Sequence, residues 1–442
     1  MKKTLSLLVA VLLVLSFVAC GNNTTQPPAD SEGAQTDKGE MSSENSGKLT
    51  IWAWDPNFNI AIMDEAKEIY LKDNPKVEFE IVDIAKGSLE QKLHVNLASG
   101  VTDGLPDITL IEDYNAQKYL QSYPGSFADL TGKIKHDDFI DYKVALMTLD
   151  GKVYGVPFDT GASGFFYRTD YLKQAGYEAQ DLNDLTWAQF IEIGKTVKEK
   201  TGKAMLPFGL DDGGLMRIML QSAGKWYFDD DGSINLTNND AVKEAVETYK
   251  AIVDADIIKP TNGWTEWVAS FNNGDSASVV TGIWIIGSIK AENSQSGKWG
   301  VAPTPRLNIS GSKNASNLGG SSWYVIENSK NKDVAIDFLN KIYAGDNDFY
   351  QKILGDKGAV GSYQPAQTGT AYAKEDAFFG NQKIYVDFSA WMKDIPSVNY
   401  GLHTYEADAA IFNVMPDVYA GNLSIEDALK KAEEHLKNQI AQ

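Results

Sequence analysis

Between Leu49 and Ile111 the chain alternates between the two periodicities of regular secondary structure, and this alternation restricts the fold more than any other feature. Leu49-Thr50-Ile51-Trp52-Ala53-Trp54 reads as a buried strand. Ile60, Met63, Ala66, Lys67 and Tyr70 then follow helical spacing, which ends near Asn74-Pro75. Val77 to Val82 alternates like a strand, and Ser88 caps a helix that carries Leu89, Leu93 and Leu97 on one face and closes at Gly100. Pro106-Asp107 leads into a third strand, Ile108 to Ile111. A β-α-β-α-β order is the start of an open parallel α/β sheet. Such sheets bind ligands outside the carboxyl ends of their strands, where the strand order reverses. Those ends are Trp54-Asp55-Pro56-Asn57-Phe58 and Glu112-Asp113-Tyr114-Asn115, two loops that mix aromatic rings with carboxylates and amides.

The amino terminus carries a different instruction. Lys2 and Lys3 precede an apolar run from Leu5 to Ala19, which stops at Cys20-Gly21. Fifteen residues suit the core of a signal peptide and fall short of a comfortable membrane span. An uncleaved anchor helix is the alternative. Residues 21–47 are rich in Asn, Thr, Ser, Gly, Glu and Pro and cannot bury enough apolar surface to order themselves. As a flexible coil this segment would span about 30 Å. Cys20 is the only cysteine, so an internal disulfide, a catalytic thiol elsewhere and a cysteine-based metal site are all excluded.

The remainder, 48–442, is too long for one typical domain and reads as two. Net charge is −20, or −22 without Lys2 and Lys3. An acidic body of this kind repels nucleic acid and anionic headgroups. A second α/β region follows Phe158, with a strand at Phe165-Phe166-Tyr167 and a helix opened by the capping-box pattern Thr186-Trp187-Ala188-Gln189. Phe228 to Ile234 reads as a hairpin turn, Ala277 to Thr281 as a strand, and the last third as mainly helical, its final helix starting at Ser424. The four histidines, His94, His136, His403 and His435, lack metal-ligand spacing. Gly194-Lys195-Thr196 lacks the upstream glycine of a phosphate loop, and Asp229-Asp230-Asp231-Gly232 lacks the distal glutamate of a calcium loop. No cofactor and no metal is expected.

Several short runs, taken in order, resemble the extracellular solute-binding proteins of carbohydrate ABC importers, the group that includes maltodextrin-binding proteins. They are Leu49 to Trp52; Leu93…Ala98-Ser99-Gly100…Leu105-Pro106-Asp107-Ile108; Tyr154-Gly155-Val156-Pro157; Tyr167 to Leu172; Thr186-Trp187; Phe271-Asn272-Asn273-Gly274 with Gly282-Ile283-Trp284; and Gly319-Gly320. Phe17-Val18-Ala19-Cys20-Gly21 likewise resembles a bacterial lipobox, with Phe17 where leucine is usual. The resemblance implies a two-lobed, type II periplasmic-binding-protein-like α/β fold with the ligand cleft between lobes joined by crossing strands. It implies a signal peptide at 1–19, a lipidated Cys20 with a linker at 20–47, a first lobe from 48–157 and 303–328, and a second from 158–302 and 329–442. Crossings would fall near Gly155–Asp159, Trp299–Pro303 and Val325–Lys330. The implied protein is a monomer on the outer face of the bacterial cell membrane. It would hand an oligosaccharide to a membrane permease and bind no nucleic acid.

A sugar presents hydroxyls at its rim and flat C–H faces, so its site needs carboxylates and amides for the first and aromatic plates for the second. Trp284 follows a glycine at a strand end and matches a cleft tryptophan of the maltodextrin-binding relatives. Asp159 matches a carboxylate that bonds sugar hydroxyls there. Trp54, Asp55 and Asn57 are candidates from the first loop, although Asp55 and Asn57 equally suit a cap for the helix near Asn59. Glu112 and Asp113 are candidates from the second loop, with the same alternative. Trp264, Trp323, Tyr363, Trp391, Tyr400 and His403 complete the set. Carboxylates flanked by aromatics also suit an exported glycoside hydrolase, and a sugar-sensing subunit of a membrane receptor is a further alternative.

Overall fold

A computed structural model describes residues 45–441, so Cys20, the signal segment and most of the linker lie outside the described residues. The three expected strands form: β1 (Gly47–Ala53), β2 (Val77–Asp83) and β3 (Ile108–Glu112). β1 lies between the other two and runs parallel to both, with Ile51 opposite Ile81 on one side and Ile108 on the other. The crossovers are α1 (Asn59–Leu71) and α2 (Lys86–Ser99). Ser88 sits inside α2 rather than at its cap, while Gly100 closes the helix in the left-handed conformation, as expected.

After the short helices α3 (Ala116–Ser122) and α4 (Asp141–Leu146), β4 (Gly155–Pro157) joins the same sheet. The chain then builds a second, antiparallel sheet from β5 (Ser163–Arg168), β6 (Ser278–Gly282) and β7 (Trp299–Pro303) and returns to the first as β8 (Ser321–Val325). The first sheet has the order β2-β1-β3-β8-β4, and the second β6-β5-β7. In the second, Phe166 at the centre faces both Val279 and Val301, and every residue of β5 is buried. Among the other helices, α5 (Gly214–Ser222) and α6 (Gly263–Asn272) surround the second sheet. α7 (Lys332–Ile342) and α8 (Asn347–Lys357) pack on the first, and α9 (Thr404–Phe412) belongs with the second. The capping box at Thr186 and Gln189 and the Ser424 cap of the last helix both form. Among the described residues no helix is long and apolar enough to cross a membrane.

The packing moves two of the expected boundaries. Ala335, Ile336, Phe338 and Leu339 recur at helical spacing and bury α7 against Leu49, Ile51 and Tyr70 in the core of the first sheet. The chain therefore stays with the first sheet through α7 and α8 instead of leaving it near 329. β7 lies wholly within the second sheet, and Leu307 and Ala315 pack in the core beside it, so the return crossing falls at 315–320 rather than at Trp299–Pro303. Segments 158–162, 315–320 and 359–372 lead from one core to the other.

They run side by side, with Asp159 bridged to Gly361 and Ala162 to Asn317. At their centre sits Lys143 of α4, whose side chain is fully buried. Its ammonium donates to both carboxylate oxygens of Asp113, at 2.7 and 2.6 Å, and to the carbonyl of Ser321 at 3.0 Å. Asp159 accepts from the backbone N–H and the hydroxyl of Ser321, each at 2.7 Å. Gly320 makes this approach possible: its φ is 93°, and a Cβ there would lie 2.6 Å from an Asp113 oxygen. Burial pushes the Asp113 carboxyl up to about 6 although Lys143 opposes the shift.

Replacing Lys143 with Met strands the buried Asp113 carboxylate and is expected to cost roughly 3–5 kcal/mol in urea unfolding at pH 8. A carboxyl whose pKa is raised in the folded state contributes stability at low pH that is lost as pH rises, so the loss should shrink at pH 5. A loss under about 1 kcal/mol at both pH values would show that the pair does not organise the crossings.

Candidate functional site

At the carboxyl end of β3 a cavity of about 580 Å³ opens between the two sheets. Glu112 and Tyr114 line it from the first sheet's side and Leu318 and Gly319 from the second crossing. Thr281 and Trp284 contribute from the end of β6, Arg217 from α5 and Trp264 and Trp267 from α6. This is the switch-point position expected from the β2-β1-β3 order.

One wall is indole. Trp264 stacks on Trp267 with centroids 5.4 Å apart and planes at 26°, and lies 5.9 Å from Trp284. Trp264 is 55% exposed and Trp284 38%, well above what a core tryptophan shows. The Trp284 N–H donates to the Leu318 carbonyl at 2.8 Å, which fixes the ring against the second crossing. Gly282 permits this fold-back, because a Cβ there would sit 2.2 Å from the indole nitrogen.

The opposite wall is polar. Glu112 pairs with Lys86 at 2.6 Å and accepts a hydrogen bond from the Tyr405 hydroxyl. Burial and the adjacent Glu112 raise the Tyr405 phenol, which keeps it protonated as a donor. A second contact from the start of α9, Lys118 to Glu406 at 3.1 Å, ties the same turn to α3. Asp211 and Asp212 are exposed at the amino end of α5, where Asp212 also accepts from the Gly214 N–H at 2.8 Å. A larger concavity of about 940 Å³ is lined by Gln117, Asp229 to Asp231 and Asn399, and its aromatic residues, Trp226 and Phe228, are both buried.

Of the residues singled out from the sequence, the cavity gathers Glu112, Trp264 and Trp284. The others are placed elsewhere, each for a visible reason. Asp113 is held by Lys143 and Asp159 by Ser321, both beneath the cleft floor. Asp55 adopts a φ of 63° and accepts from the N–H groups of Asn57 and Phe58, forming the turn into α1. Trp54 packs partly buried on the first core, and neither it nor Asn57 lines the cavity. Trp323 is fully buried between β3 and β4, so it is a core residue and not a plate. Tyr363 is buried against Tyr350, with centroids 5.3 Å apart. Tyr400 is buried in a stack with Tyr114 and Trp226, and its hydroxyl donates to Gln221 at 2.8 Å. Trp391 packs edge-on to Phe388, and His403 lies 3.6 Å from Glu406 beside the cleft turn without lining the cavity. The reading from sequence missed Trp267, Arg217, Asp211 and Asp212. Trp267 was discoverable, since Trp264 and Trp267 are three apart and therefore share a helix face. Among the described residues no group of three or more His, Cys, Asp or Glu is placed to hold a metal ion.

The two-lobed construction and its interlobe cleft have many counterparts. The sugar-binding protein MalE from Xanthomonas citri superposes with a TM-score of 0.75 at 18% identity, covering 89% of this chain and 98% of that one. A lactose-binding protein from Rhizobium radiobacter is 55% identical over 89% of this chain and 93% of its own length. A maltooligosaccharide ABC transporter solute-binding lipoprotein from Streptococcus pneumoniae is 27% identical over 81% of this chain and 79% of its own. The model of the bacterial extracellular solute-binding protein family matches residues 65–379, and the chain belongs to that family. The family and these relatives are binding proteins rather than enzymes.

Gly282→Ala is expected to dislodge the Trp284 indole, seen as altered near-ultraviolet circular dichroism, with a stability loss of about 1–3 kcal/mol from overpacking. An unchanged spectrum would show that the indole does not depend on that glycine.

Proposed function

We propose that this protein captures a small oligosaccharide outside the cell and delivers it to the permease of an ABC importer, and that the ligand is a lactose-type disaccharide. The observation that carries the reading is the wall of exposed Trp264 and Trp284 backed by the half-buried Trp267, sharing one cavity with Glu112 and Arg217. Indole faces suit the polarised C–H surface of a sugar ring, and the polar groups suit its hydroxyls. The lactose-binding relative at 55% identity supports the choice of disaccharide. No turnover is proposed: binding and release are the whole of the activity. The Glu112 carboxylate is engaged by Lys86 and Tyr405, an arrangement that suits an acceptor for hydroxyls rather than a proton donor.

Delivery to a permease requires that the body stay near the membrane. Lipidation of Cys20 would hold it there, with the linker setting its reach. A protein acylated at more than one position is stably anchored, whereas one chain is marginal. Cys20→Ala should therefore shift the protein from the membrane fraction to the medium. Retention on membranes would point instead to an uncleaved apolar segment.

Calorimetry against a glycan panel tests the binding reading, and lactose should be among the tightest ligands. Trp284→Ala should weaken binding at least tenfold, or about 1.4 kcal/mol. Unchanged affinity would remove Trp284 from the site, and a failure to bind any sugar would overturn the assignment.

A further inference from the structure

Arg217 is the one guanidinium that lines the cleft, and it is held unusually well. Its Nε lies 3.2 Å from the Asp408 carboxylate and donates to the Gly213 carbonyl at 3.4 Å. The guanidinium carbon lies 5.0 Å from the ring centroid of Tyr114 and 5.4 Å from that of Tyr405. Asp408 is itself buried and fixed by the hydroxyl of Tyr227. Gly213 is shaped to this arrangement: a Cβ there would lie 2.9 Å from the Asp408 carboxylate carbon. Both polar contacts act at Nε. No hydrogen bond to another described residue ties Nη1 or Nη2.

We infer that Arg217 is a specificity-determining ligand contact, whose two Nη groups donate to adjacent hydroxyl oxygens of a neutral sugar ring. The inference rests on the oligosaccharide reading above and sharpens it to a chemical class. A planar fork with its back immobilised presents paired donors at fixed spacing, which a flexible ammonium cannot do. A carboxylated sugar would be the obvious alternative partner for an arginine. Its charge, however, is already balanced by Asp408, and that of Glu112 by Lys86. Asp211 and Asp212 then leave the cavity wall negative, so an anionic ligand meets repulsion. Asp408 and Gly213 act through the arginine as positioning residues.

The test is calorimetry with the tightest member of the glycan panel, lactose on the reading above, together with its monodeoxy derivatives and a uronic-acid disaccharide. For wild-type protein, removing either of two neighbouring hydroxyls should weaken binding about tenfold or more, and the uronic-acid ligand should not bind. R217K keeps the charge beside Asp408 and so guards against misfolding. It should lose about tenfold in affinity for the parent sugar, and those same deoxy derivatives should show little further loss. G213A, which crowds Asp408, should weaken the parent sugar and blunt the discrimination between it and those derivatives. If R217K binds the parent as tightly as wild type, or responds to every deoxy derivative as wild type does, the inference fails while the sugar-binding reading stands. Tight binding of the uronic-acid disaccharide would overturn the neutral-ligand class. If wild type binds no sugar, both fail together.

Discussion

A single buried ion pair sets the conditions for everything around the cleft. Lys143 reaches from the short helix α4 into the place where the crossing segments run side by side, and there it meets Asp113 and the Ser321 carbonyl. Charges removed from water are tolerated only when their remaining hydrogen-bonding capacity is filled. The need to fill it draws the end of β3, the start of β8 and the first crossing into one hydrogen-bonded cluster through Asp159 and Ser321. Glu112 and Tyr114, which flank Asp113, are thereby pointed into the cavity instead of along the sheet.

The second sheet's side of the cavity above this cluster contributes the three indoles together with Arg217, Asp211 and Asp212. The first contributes the Glu112 carboxylate and reaches across to α9 through Tyr405 and through the Lys118–Glu406 pair. The buried stack of Tyr114, Tyr400 and Trp226 behind the cavity closes its rear. Hinge closure is a common response of two-lobed binders. In this molecule Glu112, which lines the cavity, also carries the contact to Tyr405 of α9.

Much of the architecture was legible from periodicity. The parallel β-α-β-α-β start, the Gly100 stop, the Thr186 capping box and the Ser424 cap all follow from local rules and all form. The lobe assignments of 303–320 and of α7 and α8 were not legible, because amphipathic helices and short strands fit either of two apolar sheets. Which sheet they cover depends on shape. The lining of the cavity was legible in part. Trp284 and Glu112 announce themselves as a tryptophan and a carboxylate at strand ends. Asp113 and Asp159 carry the same chemistry at equally suitable positions, yet they are consumed by Lys143 and Ser321, partners 30 and 162 residues away.

The sequence by itself therefore determined the fold class, the family and the location of the cleft at the carboxyl ends of the first lobe's strands. Each of these depends on patterns that repeat locally along the chain. Only the tertiary structure decided which aromatics stand exposed at the cavity and which are core. Trp264 and Trp323 are chemically identical side chains, and one is more than half exposed while the other is sealed in the sheet. The difference is burial, a property of what surrounds a residue in space, which no window of sequence contains. The same holds for Arg217, which becomes a fixed donor only because Tyr114 and Asp408, far from it along the chain, close around it.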